Sequence, residues 1–218
     1  MKKILISTGG TGGHVMPALA LYDHYKNNFN TFITTDKRGL KFIDRENYPC
    51  HIINTPQILK NKLMLPFNLV QLIFNLFTSL FFLKKFKIDY VVSTGGYMSL
   101  PICLTAKILN LKIILFEPNM VLGKSNKLFL KYASKIICYS DSLINFPENF
   151  KDKIYIINPL LRKKIYSKNQ KNIKKNDEIL KILIIGGSQG AKFFDKKISD
   201  LIIEINKKIK IFVIHQIV

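Results

Sequence analysis

The 218-residue chain has no tryptophan, three cysteines, and 14 acidic residues against 34 basic ones. Each shortage excludes something. Cys50, Cys103 and Cys138 lie far apart with no CxxC pair, so their spacing supports neither a zinc ribbon nor a disulfide framework, and the odd count fits a reducing compartment. Among the cations arginine is rare: it stands only at Arg38, Arg45 and Arg162, and the rest are lysine. Nucleic-acid readers favour the arginine fork. The net charge of +20 therefore predicts an anionic partner such as a phosphorylated substrate or an anionic lipid surface, and no nucleic acid. The apolar run Ile4-Leu5-Ile6 meets a glycine cluster after a few residues, too short for the core of a signal peptide, which places the chain in the cytoplasm.

What is present is material for a core. The chain is 48% hydrophobic with 16 Phe and 9 Tyr, well away from disordered composition. Short β-branched runs alternate with longer segments of helical period, the pattern of an α/β chain with a doubly wound parallel sheet. Strands are expected at Lys3–Thr8, Asn30–Thr35, His51–Asn54, Tyr90–Thr94, Lys112–Phe116, Lys135–Tyr139 and Ile154–Asn158. Residues 1–160 form the N-terminal domain in this reading. The lysine- and asparagine-rich stretch 161–179 reads as a linker. Residues 180–218 supply a strand at Ile182–Ile185, a helix and a last strand at Ile209–Ile214. One such βαβ unit is too small to hold a core alone, so the second domain is expected to be incomplete.

Residues Leu63 to Leu83 carry no charge, which is long enough for a membrane span of about 20 residues. Asn68, Gln71, Asn75 and Thr78, however, fall at steps of three, four and three, drawing one polar stripe down a helix. That stripe favours an amphipathic crossover helix between two strands, with an apolar arc of Leu69, Leu72, Ile73, Leu76, Phe77, Leu80 and Phe81. The arc is wide for one sheet face, and Lys84-Lys85-Phe86-Lys87 follows at once. The Leu63–Lys87 region thus suits either core plus a basic turn or an anionic membrane surface.

Chemistry is carried by glycine-rich loops. Thr8-Gly9-Gly10-Thr11-Gly12-Gly13-His14 joins the first strand to a helix, where backbone N–H groups and the helix terminus receive phosphate. It lacks the Gly-Lys-Ser/Thr ending of a Walker loop. A dinucleotide fingerprint can start at Gly10 and Gly12, with Asp36 in the ribose-binding place, but Val15 stands where its third glycine belongs. This keeps an NAD-type oxidoreductase as the alternative. Further loops of the same kind occur at Gly95-Gly96-Tyr97 and at Gly186 to Ala191, and the repetition suggests a diphosphate ligand held between two domains. His14, an imidazole beginning a helix, suits a general base; Glu117, at a strand end, suits a residue that orients its neighbours.

Four motifs occur in order along the chain: Gly9 to His14 with Pro17; Gly95-Gly96-Tyr97 with Pro101; Glu117-x-Asn119 with Gly123 and Asn126; and Gly186-Gly187-Ser188-Gln189-Gly190-Ala191. Together they resemble the MurG family. The resemblance implies a GT-B fold, in which a doubly wound N-terminal domain is followed by the first βαβ unit of a second Rossmann-like domain. It implies an inverting, metal-independent transfer of N-acetylglucosamine from UDP-GlcNAc to lipid I, giving lipid II for peptidoglycan, with no cofactor. By position, His14 would be the base. Thr11, Gly12, Gly13, Asn119, Arg162 and Ser188 would touch UDP-GlcNAc, and Gly95, Gly96 and Tyr97 the acceptor diphosphate. The family's site is the cytoplasmic face of the inner membrane, as a peripheral protein, with cell-wall synthesis and division proteins as partners. The chain departs from the family at Pro118, where glutamine is usual, and around Arg162. Later family segments that bind uridine and ribose do not occur in it, so transfer by this chain alone is expected to be slight or nil.

Overall fold

The computed structural model describes residues 1–55, 65–162, 179–185 and 191–216. Its contacts divide the chain into two units, Met1–Ser167 and Lys168–Val218.

In the first unit the strands are β1 (Lys3–Ser7), β2 (Asn30–Thr35), β3 (Cys50–Ile52), β4 (Tyr90–Ser93), β5 (Lys112–Glu117), β6 (Ala133–Cys138) and β7 (Ile154–Ile156). They build one sheet of order β3-β2-β1-β4-β5-β6-β7, parallel at every pairing. A parallel sheet is stable only when both faces are covered, and alternate residues of each strand serve the two faces. Leu5, Val91, Ile113, Leu115 and Ile136 meet the helices α3 (Leu65–Phe86), α4 (Ser99–Ile108) and α5 (Lys124–Phe129) through Phe82, Leu83, Ile102, Cys103 and Phe129. On the other face Ile4, Ile6, Val92 and Phe116 pack on Ala18 and Leu21 of α1 (Gly12–Tyr25), and a short α2 (Lys37–Leu40) follows β2. Each fully buried aliphatic contributes roughly 1.5–3 kcal/mol of transfer free energy.

The strand order fixes where a ligand can enter. From β1 the chain moves outward in one direction to β2 and β3, and from β4 in the other direction to β5, β6 and β7. The connections leaving β1 and β4 therefore diverge, which opens a crevice at the carboxyl ends of these two strands.

The crossover from β3 to β4 is the uncharged helix of the sequence, and it corrects the expected orientation. Its amides face inward: Asn68 and Asn75 are buried, and Gln71 is half-buried. Asn75 Nδ2 donates to the Asn54 carbonyl at 2.7 Å, and Gln71 Nε2 to the same oxygen at 3.4 Å. Thr78, the fourth member of the stripe, is exposed and donates to Phe74 O. Of the apolar arc, Leu72, Leu76 and Leu80 are half-buried, whereas Leu69, Ile73, Phe77 and Phe81 are exposed together with Phe67, Val70 and Phe74. The physical reason is local: the chain leaves β3 through Asn54, whose carbonyl needs donors once covered. The helix satisfies it with amides and seats its last turns through Phe82 and Leu83. Pro66–Phe86 has a mean hydropathy of 1.6 and is the one described helix long and apolar enough to cross a membrane.

In the second unit β8 (Leu180–Ile184) pairs in parallel with β9 (Ile211–His215) across α6 (Ala191–Lys208), from Leu180 opposite Ile211 to Ile184 opposite His215. Leu183, Phe212 and Ile214 are exposed.

Candidate active site at the carboxyl edge of the sheet

The glycine-rich loop leaves β1 at Thr8, which is buried and accepts a hydrogen bond from Thr94 Oγ1 at 2.8 Å. Gly9 admits no side chain: a Cβ there would meet Asp36 Oδ1 at 2.6 Å and Met98 Cγ at 2.7 Å. The loop then enters α1 with Thr11 at the N-cap, in extended conformation and without a side-chain capping bond. The first-turn N–H groups at Gly12 and Gly13 are thus left to the mouth of the site.

His14 follows on the first turn of α1. Its Nδ1 lies 2.7 Å from the Thr94 carbonyl oxygen. A carbonyl only accepts, so Nδ1 carries a proton and donates it, and of the two neutral tautomers this contact selects the one whose lone pair is on Nε2, on the opposite side of the ring. This is the tautomer that a base facing the site requires. The ring also packs against the turn after β4, where Gly95 and Gly96 have φ of +88° and +85°. A Cβ on Gly95 would approach His14 Cε1 to 3.3 Å, so both backbone shape and the imidazole demand glycine.

Polar side chains beneath these loops lock them together. Ser93 Oγ accepts from Gly95 N at 3.1 Å and donates to Asn126 Oδ1 at 3.3 Å. Asn126, itself buried, donates through Nδ2 to Phe116 O at 3.3 Å and to Glu117 Oε2 at 3.1 Å. Glu117 Oε2 also accepts from Gly123 N at 2.8 Å, and its Oε1 accepts from Asn119 Nδ2 at 3.0 Å. Ser99 Oγ donates to Gly96 O at 2.8 Å and lies 3.0 Å from Ser125 Oγ. The carboxylate of Glu117 is thus saturated by neighbours and orients the loop after β5, the structural role its place at a strand end suggested. Above this platform His14, Gly96, Tyr97, Gly123, Lys124 and Ser125 line a cavity of about 190 Å³.

Of the residues singled out in the sequence, the structure brings His14, Gly96 and Tyr97 together around that cavity, with Gly95 against the His14 ring; Thr11, Gly12 and Gly13 precede His14 at the start of α1, and Asn119 is tied to Glu117. Arg162 is exposed at the other end of α1, where the carbonyl of its neighbour Leu161 lies 3.3 Å from His24 Nε2. His24 is ten residues along the helix from His14, about 15 Å at 1.5 Å per residue. Ser188 lies outside the described residues. Sequence reasoning missed the platform residues Ser93, Ser99 and Ser125; a small hydroxyl beside a glycine turn was the signal for each.

Asp36 has a different office from the ribose contact considered for it. It is 3% exposed, and its Oδ1 accepts from Gly10 N and Gly39 N at 2.8 Å each while Oδ2 accepts from Arg38 Nε at 2.8 Å. Burial alone would raise this carboxyl, but the two backbone donors and the Arg38 guanidinium outweigh it and hold it below the usual carboxylate range. A carboxylate so occupied braces the glycine loop and has no oxygen turned to a sugar, which removes the main support for the dinucleotide reading. Two cysteines are inert for the same kind of reason: burial pushes Cys103 up to about 12, and burial with the nearby Glu117 pushes Cys138 up to about 11. Among the described residues no three His, Cys, Asp or Glu side chains converge as metal ligands would. A second cavity, of about 210 Å³, lies at the amino ends of the strands and is apolar, with none of the candidate residues in it.

Fold and site define a doubly wound α/β domain whose glycine-rich loops meet at its topological switch point. Comparison with known proteins narrows the class: the chain belongs to glycosyltransferase family 28, whose N-terminal domain it matches over residues 4–138. It is 52% identical over 99% of its length to the UDP-N-acetylglucosamine--N-acetylmuramyl-(pentapeptide) pyrophosphoryl-undecaprenol N-acetylglucosamine transferase of Pelagibacter ubique, and 37% identical to that of Francisella philomiragia. Both alignments cover 60% of the relative, so the chain spans about three-fifths of the length of the curated proteins it matches. Among solved structures it resembles the MurG of Acinetobacter baumannii, with a TM-score of 0.71 at 24% identity over all of this chain and 59% of that one.

Proposed function

We propose that this chain is the acceptor-binding part of a transferase that moves N-acetylglucosamine from UDP-GlcNAc onto lipid I. One observation carries the reading: His14 is fixed by Thr94 in the tautomer that leaves Nε2 basic, at the edge of a cavity lined by Gly96 and Tyr97. In the reaction Nε2 takes the proton of the acceptor hydroxyl. The oxygen forms a bond to the anomeric carbon, and the bond from that carbon to the diphosphate breaks, with UDP leaving on the electron pair and the configuration inverted. The turn at Gly95 to Tyr97 takes the acceptor diphosphate, and the first turn of α1, with Thr11, Gly12, Gly13 and Asn119, faces the sugar nucleotide. The roles of Arg162 and Ser188 rest on the resemblance alone.

The exposed ridge of α3, followed by Lys84, Lys85 and Lys87, seats the protein on the anionic cytoplasmic face of the inner membrane, where a lipid-linked acceptor resides. Cell-wall synthesis and division proteins are its neighbours there. Thermal unfolding tests the reading. A short-chain lipid I analogue should raise the melting temperature of this chain, and NADH should not. In a chimera completed with the remaining segment of the Pelagibacter relative, GlcNAc transfer should be present and His14→Ala should abolish it. Protection by NADH alone, or undiminished turnover of the His14→Ala chimera, overturns the proposal.

A further inference from the structure

Arg38 is one of only three arginines in a chain with 34 basic residues, so it stands where the composition would ordinarily put lysine. The structure gives a reason that lysine does not satisfy. The guanidinium is held at two points on one carboxylate oxygen, Nε at 2.8 Å and Nη2 at 2.7 Å from Asp36 Oδ2. Asp36 is itself buried and anchored by Gly10 N and Gly39 N, so the fork has a fixed direction. It lies directly on the glycine-rich loop: a Cβ built on Gly10, where φ is +81°, would sit 3.9 Å from Arg38 Nη2. The Arg38 side chain is 42% exposed against 4% for Asp36, so the pair presents its cation outward and its anion inward.

An arginine carries five N–H donors. Two are used on Asp36, which leaves three with no partner among the described residues. Orphan donors on a planar, prealigned cation beside a glycine whose positive φ keeps the backbone bare form a receptor for the oxygens of a phosphate group. Asp36 reduces this attraction only in part, because two backbone N–H groups on its other, buried oxygen offset some of the carboxylate charge. We propose that Arg38, positioned by Asp36, binds a diphosphate oxygen of the ligand at the glycine-rich loop. The inference rests on the transferase reading above, and adds to it a cation that neither the family motifs nor the loop itself assigns. The diphosphate is that of the sugar nucleotide or of the polyprenyl-linked acceptor; the chemistry of recognition is the same.

The test is isothermal titration of the 218-residue chain and its Arg38→Lys and Arg38→Met variants with inorganic pyrophosphate, UDP and farnesyl diphosphate, at one fixed low salt concentration. Lysine can restore one ion pair to Asp36 but cannot hold Asp36 and a phosphate in a fork at once. Arg38→Lys should therefore melt at the wild-type temperature and bind pyrophosphate at least fivefold more weakly, a split that a purely structural role would not produce. Arg38→Met should bind more weakly still. If the loss appears with UDP alone, the ligand is the nucleotide; if with farnesyl diphosphate alone, it is the acceptor. Equal affinities of wild type and Arg38→Lys for all three probes overturn the role of Arg38 and leave the transferase reading standing. If wild type binds none of the three, both fall.

Discussion

Replacing Phe77 and Phe81 by glutamate should release the protein from anionic vesicles without unfolding it. The two rings are 66% and 67% exposed on the outer side of α3. Full removal of a phenylalanine from water is worth about 1.5–3 kcal/mol, so each ring retains about 1–2 kcal/mol that a bilayer interface can release, and the pair about 2–4. Carrying two carboxylates to a negative surface adds repulsion of about 1 kcal/mol for each charge. The sum of about 4–6 kcal/mol corresponds to roughly a thousand- to ten-thousand-fold fall in partitioning. Co-sedimentation with vesicles of phosphatidylcholine and phosphatidylglycerol measures it, with the melting temperature as control, since exposed positions away from special features change stability by about 0.5 kcal/mol or less. Asn75→Leu is the converse probe. It removes the 2.7 Å bond to the Asn54 carbonyl and should destabilise the fold by about 1–3 kcal/mol without strengthening vesicle binding. Wild-type sedimentation by the glutamate variant, or tighter vesicle binding by a fully stable Asn75→Leu, would refute the orientation of the helix.

Asn126→Ala should cost about 2–4 kcal/mol, because it strands Glu117, Phe116 O and Ser93 beneath the loops; a chemical-denaturation midpoint equal to wild type would contradict this. Asp36→Asn tests the brace on the glycine loop. The folded-state carboxyl of Asp36 lies below its unfolded value, so its contribution is present above about pH 4 and is lost as pH falls through the folded value. The stability gap between wild type and Asp36→Asn should therefore narrow as the solution is acidified below about pH 4, and a gap independent of pH would count against it. In the native protein at pH 8, Ellman's reagent should modify Cys50, which is half-buried, and spare Cys103 and Cys138 until the chain unfolds. Equal reaction at all three positions would contradict the burial described.

The parallel sheet was legible because its strands are short β-branched runs, most of them followed by glycine or asparagine, and because the long crossovers after β1, β3 and β4 carry a helical period. The switch-point site was legible for a related reason: loops such as Gly9 to Gly13 and Gly95-Gly96 use more glycine than a turn needs. The facing of α3 was not. Steps of three and four establish that Asn68, Gln71 and Asn75 share one side of a helix, but not that this side meets the protein. That depends on the Asn54 carbonyl, whose need for donors arises only once the chain is folded over it. Asp36 was ambiguous on similar grounds: an acid after the second strand looks like a ribose ligand until the hydrogen bonds from Gly10, Gly39 and Arg38 are seen to occupy it.

Asn126 reaches β4 through Ser93 and β5 through Phe116 and Glu117, so three positions distant in sequence share one small lattice of donors and acceptors. Changing any one of them leaves a buried group unsatisfied, while changing them as a set need not. Double-substitution energies at Ser93, Glu117 and Asn126 should accordingly depart from additivity. Across descendants of this chain these residues should be inherited as a block, exchanged together or not at all.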